Sequence, residues 1–367
     1  MLGLSVSSSW GNDHAPTYRA LIKGLCARGH SVLFLERNLP RHAQNRDMPE
    51  LPYGAVAYYE SVDELKSRYV TEIARADAVI VGSFVPDGVA VGEWVTSCAL
   101  GLTAFYDIDT PVTIAKLKAG DEEYLSRPLI PRFDLYLSST GGPTLIRLER
   151  EFGARMARAL FCSVDPTQYY TQAGTPQWDL GYLGTGSDDW QAPLESLMLG
   201  PARQWSDGKM VVAGSMYPSE IDWPANVERC PRLSPSEHCD FYKRQRFTLN
   251  LPRASVRPAG HSLSMRLLEA AACGTPIISD WWDGLNTFFE PGTEILVARS
   301  GSEVLHFLRK LPDAQRQLIG QRARARVLGR HTAYHRACEL EGHLAEAGHE
   351  WEKPAARAMA ASASAAS

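Results

Sequence analysis

Two short apolar runs, Leu2-Gly3-Leu4-Ser5-Val6 and Ser31-Val32-Leu33-Phe34-Leu35-Glu36, flank a segment with a different rhythm. Residues 17–28 place Tyr18, Leu21, Ile22 and Leu25 at helical spacing, and Gly29 stands where a helix stops. Strand, helix and strand in so short a span form a βαβ unit, which forces two parallel strands joined by a right-handed crossover. The alternation continues. Further strands are predicted at 78–81, 102–106 and 135–138, with a weaker one at Leu160-Phe161. The second half repeats the pattern, with strands at 180–183, 210–213, 247–250 and 277–279 and a helix at 191–204. The pattern predicts an α/β protein with two Rossmann-like, doubly wound domains. The polar, turn-rich stretch from Ser163-Val164-Asp165-Pro166 to Pro176 is the expected junction.

The expected domains are 1–165 and 176–330, then helices continuing to 331–351. Residues 354–367 are Ala/Ser-rich, carry too little apolar bulk to pack, and read as a disordered tail. Composition narrows the function classes. With 44% hydrophobic and 22% charged residues, the 367-residue chain has the profile of a soluble globular protein. Its formal net charge of −4 argues against a nucleic-acid surface, which is normally basic. The seven cysteines include no Cys-x-x-Cys pair and no zinc spacing, so they read as reduced thiols in the cytoplasm. MLGLSVSSSW has no basic region before a long apolar core, so it does not read as a secretory signal. No stretch approaches the roughly 18 uninterrupted apolar residues of a membrane span, so no integral membrane segment is expected.

The chemistry concentrates in RASVRPAGHSLSMRLLEAAACGTPIISDWWDGL, residues 253–285. Gly260-His261-Ser262-Leu263-Ser264 opens a helix near Met265 that carries Glu269 and ends near Cys273-Gly274. A loop opening a helix presents unpaired N–H groups and the positive end of a helix dipole. A diphosphate suits such an end, and Glu269 lies where a carboxylate reaches a ribose hydroxyl. The same residues also fit an ordinary loop–helix–strand unit with a surface Glu. Arg253, Arg257 and Arg266 are the cations available to a diphosphate leaving group. Arg253, ending a strand, is the first choice, and Arg266 has a second reading as a surface partner of Glu269. Asp107-Ile108-Asp109 after a strand matches a metal-binding pattern, but also an Asp capping the next helix. His331 and His335 share a helix face at metal-ligand spacing, without an evident third ligand.

The run Glu269-Ala270-Ala271-Ala272-Cys273-Gly274-Thr275-Pro276-Ile277 resembles the donor-site signature of GT-B glycosyltransferases, and the chain as a whole resembles the CgeB-like (spore maturation protein) branch. His261 stands where many retaining members have a first Glu, and Ser262 and Ser264 stand where they have Gly. The resemblance implies a GT-B fold, with an interdomain cleft and a C-terminal helix crossing back to the first domain. It implies a bacterial, cytoplasmic hexosyltransferase using a nucleotide-diphosphate sugar, without metal or other cofactor, and retention of configuration. The acceptor is unidentified. The implied donor contacts are Gly184, Thr185, Arg232, Arg253, Gly260, Ser262, Leu263, Ser264 and Glu269. The implied acceptor or sugar contacts are Gly11, Asn12, His14, Tyr106 and Asp109. The expected catalytic groups are His14, Asp107, His261 and Arg253. Two other activities fit the same resemblance: a nucleotide-sugar epimerase or hydrolase, and a non-catalytic surface-assembly protein that keeps the fold.

Overall fold

The computed structural model describes residues 1–10, 14–186, 192–252 and 259–350. The tail expected at 354–367 lies outside the described residues. Contacts divide the chain into two units. The first is Met1–Ser8, Ile22–Leu160 and Arg336–Ser367; the second is Ser9–Leu21 and Phe161–His335.

The first unit is built on a seven-stranded parallel sheet: β1 (Leu2–Gly3), β2 (Leu33–Arg37), β3 (Ala55–Tyr59), β4 (Ala78–Gly82), β5 (Leu102–Asp107), β6 (Leu135–Ser138) and β7 (Ala157–Ala159). Their spatial order is β3-β2-β1-β4-β5-β6-β7. A parallel sheet is covered on both faces, so its inner strands need unbroken apolar runs rather than alternation. Val79, Ile80 and Val81 of β4 meet that demand, as do Leu135, Tyr136 and Leu137 of β6, and all six are buried. Chain order reverses between β1 and β4. The loops after these two strands therefore flank the crevice where an open α/β sheet takes ligands.

Helix α1 (His14–Ala27) is already helical at His14, ahead of the predicted Thr17. The remaining helices used below are α2 (Gly88–Cys98), α3 (Thr110–Lys118) and α4 (Pro143–Arg150). The strand expected at 160–161 falls instead just before it, at β7, where Ala157 pairs with Tyr136 and Ala159 with Ser138.

The second unit carries a six-stranded parallel sheet of β8 (Trp178–Leu183), β9 (Met210–Ala213), β10 (Val227–Cys230), β11 (Gln245–Asn250), β12 (Ile277–Ser279) and β13 (Leu296–Val297). The order is β10-β9-β8-β11-β12-β13, with Leu180 beside Met210 on one side and Phe247 on the other. The reversal here lies between β8 and β11. The helices used below are α5 (His238–Lys243), α6 (Met265–Ala272), α7 (Gly301–Lys310), α8 (Asp313–Arg330) and α9 (Ala333–Glu350). Leu267, Leu268 and Ala271 of α6 pack with Ala323 and Val327 of α8 on one face of the sheet. Leu197, Met198, Val304 and Leu308 cover the other. The described part of the predicted 191–204 helix widens to a π-helical turn at Glu195–Leu199 before Gly200–Gln204. Pro201 explains this, because it has no N–H and its ring crowds the carbonyl four residues back.

Helix α9 belongs mostly to the first unit. Its Glu341 accepts two bonds from the Arg28 guanidinium, at 2.6 Å each, and lies 2.8 Å from His30 Nε2. Its Glu346 pairs with Arg158 at 2.9 Å.

Candidate functional site

Two of the residues expected to touch a donor, Gly184 and Thr185, stand at the end of β8, beside the crevice between β8 and β11 in the second unit. Gly184, Thr185 and Gly186 follow β8 directly. Gly184 N donates to Ala213 O at 3.0 Å, Gly186 N to Ser215 O at 2.8 Å, and Tyr217 Oη to Gly184 O at 2.7 Å. The loop after β8 is thus laced to the loop after β9. Gly214, at φ 128°, allows this approach, because a Cβ there would collide with the Gly184 carbonyl oxygen. The continuation of the β8 loop, 187–191, lies outside the described residues, as do Arg253 and Arg257 after β11 and Gly11 and Asn12 after β1.

Helix α6 opens from Ser264, whose side chain makes no capping hydrogen bond. Its first turn faces β8 and β11 through a small cavity lined by Tyr182, Asn250, Thr248, Tyr242 and Arg266 and, in equal number, by apolar side chains of the strands, the segment after β11 and α6. The cavity has room for about one water molecule. The first turn thus joins a dipole-positive helix end, a guanidinium and hydrogen-bonding side chains at the carboxyl ends of two inner strands.

Gly260 and His261 both adopt left-handed backbone, at φ 59° and 44°. For His261 this conformation is strained, and it is held by its N–H donating to Asp283 O at 2.5 Å. The His261 ring lies against Gly284, where a Cβ would come within 2.5 Å of Nδ1. His261 and Ser262 are both half-buried, and Ser264 is also half-buried at the helix cap. Leu263 is a correction. Its side chain is a core residue at 7% exposure, so it can offer a ligand only its backbone. Arg232, beyond β10, is exposed.

Glu269 stands among hydrogen-bonding side chains rather than on an open surface. It is 5% exposed. Tyr169 Oη donates to its Oε1 at 2.7 Å, Tyr242 Oη donates to its Oε2 at 3.2 Å, and His238 Nδ1 lies 3.7 Å from Oε2. Burial, then the adjacent Glu269 carboxylate, push both phenols far above their ordinary range, and nearby Arg266 partly offsets this at Tyr242. Both tyrosines therefore remain O–H donors at any ordinary pH. Tyr242 itself is a core residue, 1% exposed.

The other expected contacts are less available. Tyr106 is 1% exposed and Asp107 has no exposed surface, so both are corrected from ligand contacts to interior residues. Asp107 Oδ2 accepts from Tyr136 Oη at 2.6 Å, and Oδ1 from Thr113 Oγ1 at 2.7 Å and Asp109 N at 3.3 Å. Burial raises its carboxyl to about 6 against those bonds. The two carboxylates of Asp107-Ile108-Asp109 therefore do not open together toward a cation. Asp109 occupies the N-cap position of α3, without a side-chain capping bond, and is half-buried. His14 lies on α1 at 9% exposure, its ring 6.4 Å from Tyr18. His331 and His335 are separated in role: His331 packs 6.0 Å from Phe288, and His335 Nδ1 is 2.8 Å from Thr332 Oγ1.

A group that sequence reasoning missed is Glu36. Fully buried at the end of β2, it accepts from Val6 N (2.6 Å), Ser7 N (2.9 Å), Ser5 Oγ (3.1 Å) and Ser7 Oγ (2.6 Å). It fixes the start of the loop after β1. The signal was an acidic residue ending an otherwise apolar run. Tyr169 was also missed, since nothing local marks a residue whose partner is 100 positions away.

Residues 193–342 match a family model described as glycosyl transferase-like. No curated relative matches the sequence. Solved structures share the fold over nearly the whole chain. Sucrose-phosphate synthase from Thermosynechococcus elongatus is 14% identical, covering 93% of this chain and 97% of its own, with a TM-score of 0.62. Anabaena HepE in complex with UDP-glucose is 13% identical, covering 94% and 99%, with a TM-score of 0.66. An α-glucosyltransferase in complex with UDP-glucose and DNA containing an abasic site is 13% identical, covering 94% and 98%, with a TM-score of 0.70. The fold is the GT-B class. Among the described residues, no helix is long and apolar enough to cross a membrane.

Proposed function

We propose that this protein is a glycosyltransferase that moves a hexosyl group from a nucleotide-diphosphate sugar to an acceptor, without a metal ion. The reading rests above all on the position of Arg266. It stands on the first turn of a helix without a side-chain cap and lines the cavity between the ends of β8 and β11. The family match over 193–342 supports the same reading, as do two similar structures whose ligand is UDP-glucose.

In this reading the first N–H groups of α6 and the Arg266 guanidinium bind the diphosphate and take up the charge that develops as it leaves. The backbone of Gly184–Gly186 approaches the phosphates from the other side of the crevice. Arg232 stands toward the base, and the constrained His261 ring toward the sugar. Arg253 remains a second phosphate group in this proposal. In this proposal Asp109 is an acceptor contact. CgeB-like membership, a cytoplasmic location and retention of configuration are part of the same proposal.

The test is a turnover screen with UDP-, GDP-, ADP-, dTDP- and CDP-hexoses, with magnesium or with EDTA, following released nucleoside diphosphate and the sugar product by NMR. One donor should be consumed at a rate that EDTA leaves unchanged, and Arg266→Ala should slow it by about tenfold or more. Free sugar or an epimer formed at full rate from the donor alone would replace the transferase reading with a hydrolase or epimerase. A chain that consumes none of the five and is stabilised by none would be a non-catalytic member of the fold.

A further inference from the structure

Cys239 on α5 and Cys273 at the C-cap of α6 are 34 positions apart, yet their sulfurs stand 3.8 Å from each other. Both thiols are free, and both residues are buried, at 8% and 6% exposure. Cys273 Sγ also lies 3.9 Å from Cys239 O, and Thr275 Oγ1 donates to Tyr242 O at 2.8 Å just beyond. The end of α6 is therefore pinned against α5, with the two sulfurs side by side. A bond between them requires an approach of about 1.8 Å. The other five cysteines are half-buried, so contact, not exposure, distinguishes this pair. The two thiols also differ from each other. Burial, then Cys239, push the Cys273 thiol far above its ordinary range. Cys239 stands one helical turn before Lys243, on the same face of α5. Its Sγ lies 3.7 Å from Tyr170 O, and Lys243 Nζ lies 4.4 Å from the Tyr170 ring centroid. Sulfur and ammonium thus share the cover of one exposed residue. Lys243 pairs with Asp240 as well, at 2.7 Å. A neighbouring ammonium favours the thiolate, the form that an oxidant attacks.

We infer that Cys239 and Cys273 are an oxidation site of this protein, at which a peroxide oxidises Cys239 and Cys273 then closes a disulfide. In the first step the Cys239 thiolate attacks a peroxide oxygen and the O–O bond breaks. Cys239 becomes a sulfenic acid, and the hydroxide released takes up a proton to leave as water. In the second step the Cys273 sulfur attacks the sulfenic sulfur and the S–O bond breaks. Hydroxide departs with the Cys273 proton as a second water. Two thiols are oxidised and one peroxide is reduced to two waters. The bridge ties α5 to the C-terminal end of α6, the helix that carries Arg266 in its first turn. A link across 34 positions also restricts the unfolded chain, so the bridged form is the more stable one. The inference stands apart from the donor-site reading above.

The test is to treat the reduced, folded full chain with hydrogen peroxide, unfold it in acid, alkylate the remaining thiols and map the peptides by mass spectrometry. The expected product is an intramolecular cross-link between the peptides of Cys239 and Cys273, with the intact mass lower by two hydrogens and restored by dithiothreitol. Its melting temperature should be higher than that of the reduced chain by about 5 °C or more. The pairing is read from the unchanged protein, so it does not depend on any variant folding. The order of the steps is read from Cys273→Ala, in which dimedone should trap a sulfenic acid at Cys239, and from Cys239→Ala, in which it should trap none at Cys273. Both thiols fully alkylated after peroxide treatment, or cross-links that join other cysteines, would overturn the inference. So would a bridge that forms only in denaturant, because the folded geometry would then not be its cause. A bridge that leaves the melting temperature unchanged would overturn the tie between the helices, and a sulfenic acid trapped at Cys273 would overturn the order of the two steps.

Discussion

Asp107 ends β5 with no exposed surface, and its carboxyl is raised to about 6 because burial disfavours the charge more than Tyr136 and Thr113 favour it. The sign follows directly. An acid whose folded value lies above its unfolded value stabilises the fold fully below the unfolded value. It loses that contribution as pH rises through about 6. Ionised Asp107 then costs on the order of 3 kcal/mol. Asp107→Asn removes the charge and keeps the shape. Its melting temperature relative to the unchanged protein should rise between pH 4 and pH 7, measured by calorimetry across that range. A difference that stays constant with pH would show that the carboxyl does not titrate there. Glu36 is a second fully buried carboxylate. Its four donors include two backbone N–H groups, so its burial serves to order the loop after β1. Glu269 shares this satisfied character, which a sequence motif cannot reveal, because the partners of a buried carboxylate come from distant positions.

Helix α9 is attached to the first unit by charge-assisted hydrogen bonds. The Arg28 guanidinium, then His30, hold the Glu341 carboxyl at about 2. A depressed acid contributes stability above its unfolded value of 4.5 and loses it as pH falls toward 2. Glu341→Gln should therefore cost about 1–2 kcal/mol at neutral pH. The gap in melting temperature should close between pH 4.5 and pH 2; a gap that persists at pH 2 would assign the loss to packing instead. The elements that sequence reasoning missed or misplaced share a physical cause. β3, β7, β10 and β13 are the four strands at sheet edges. Val227-Glu228-Arg229-Cys230 of β10 has one buried residue and one exposed one. An edge strand is covered on fewer sides and does not need the apolar run that marked β4, β6, β9 and β12.

At the scale of the whole molecule, the alternation of strands and helices was legible because parallel sheets impose it, and both units show it. The helix at 265–272 was legible too, since Ser264 precedes it and Gly274, at φ 73°, ends it. Less legible was which of its residues face a ligand. Glu269 reads as the exposed carboxylate of a motif, yet the fold brings Tyr169 and Tyr242 onto it. Arg266 reads equally well as a surface partner of Glu269, yet it lines the cavity beside β8 and β11. The proposed donor site turns on that position, and calorimetric titration of UDP into the unchanged protein and into correctly folded Arg266→Ala tests it without intermediaries. Binding should be measurable in the unchanged protein and weaker by about tenfold or more in the variant. Equal affinity in the two proteins would contradict the assignment of Arg266 to the diphosphate.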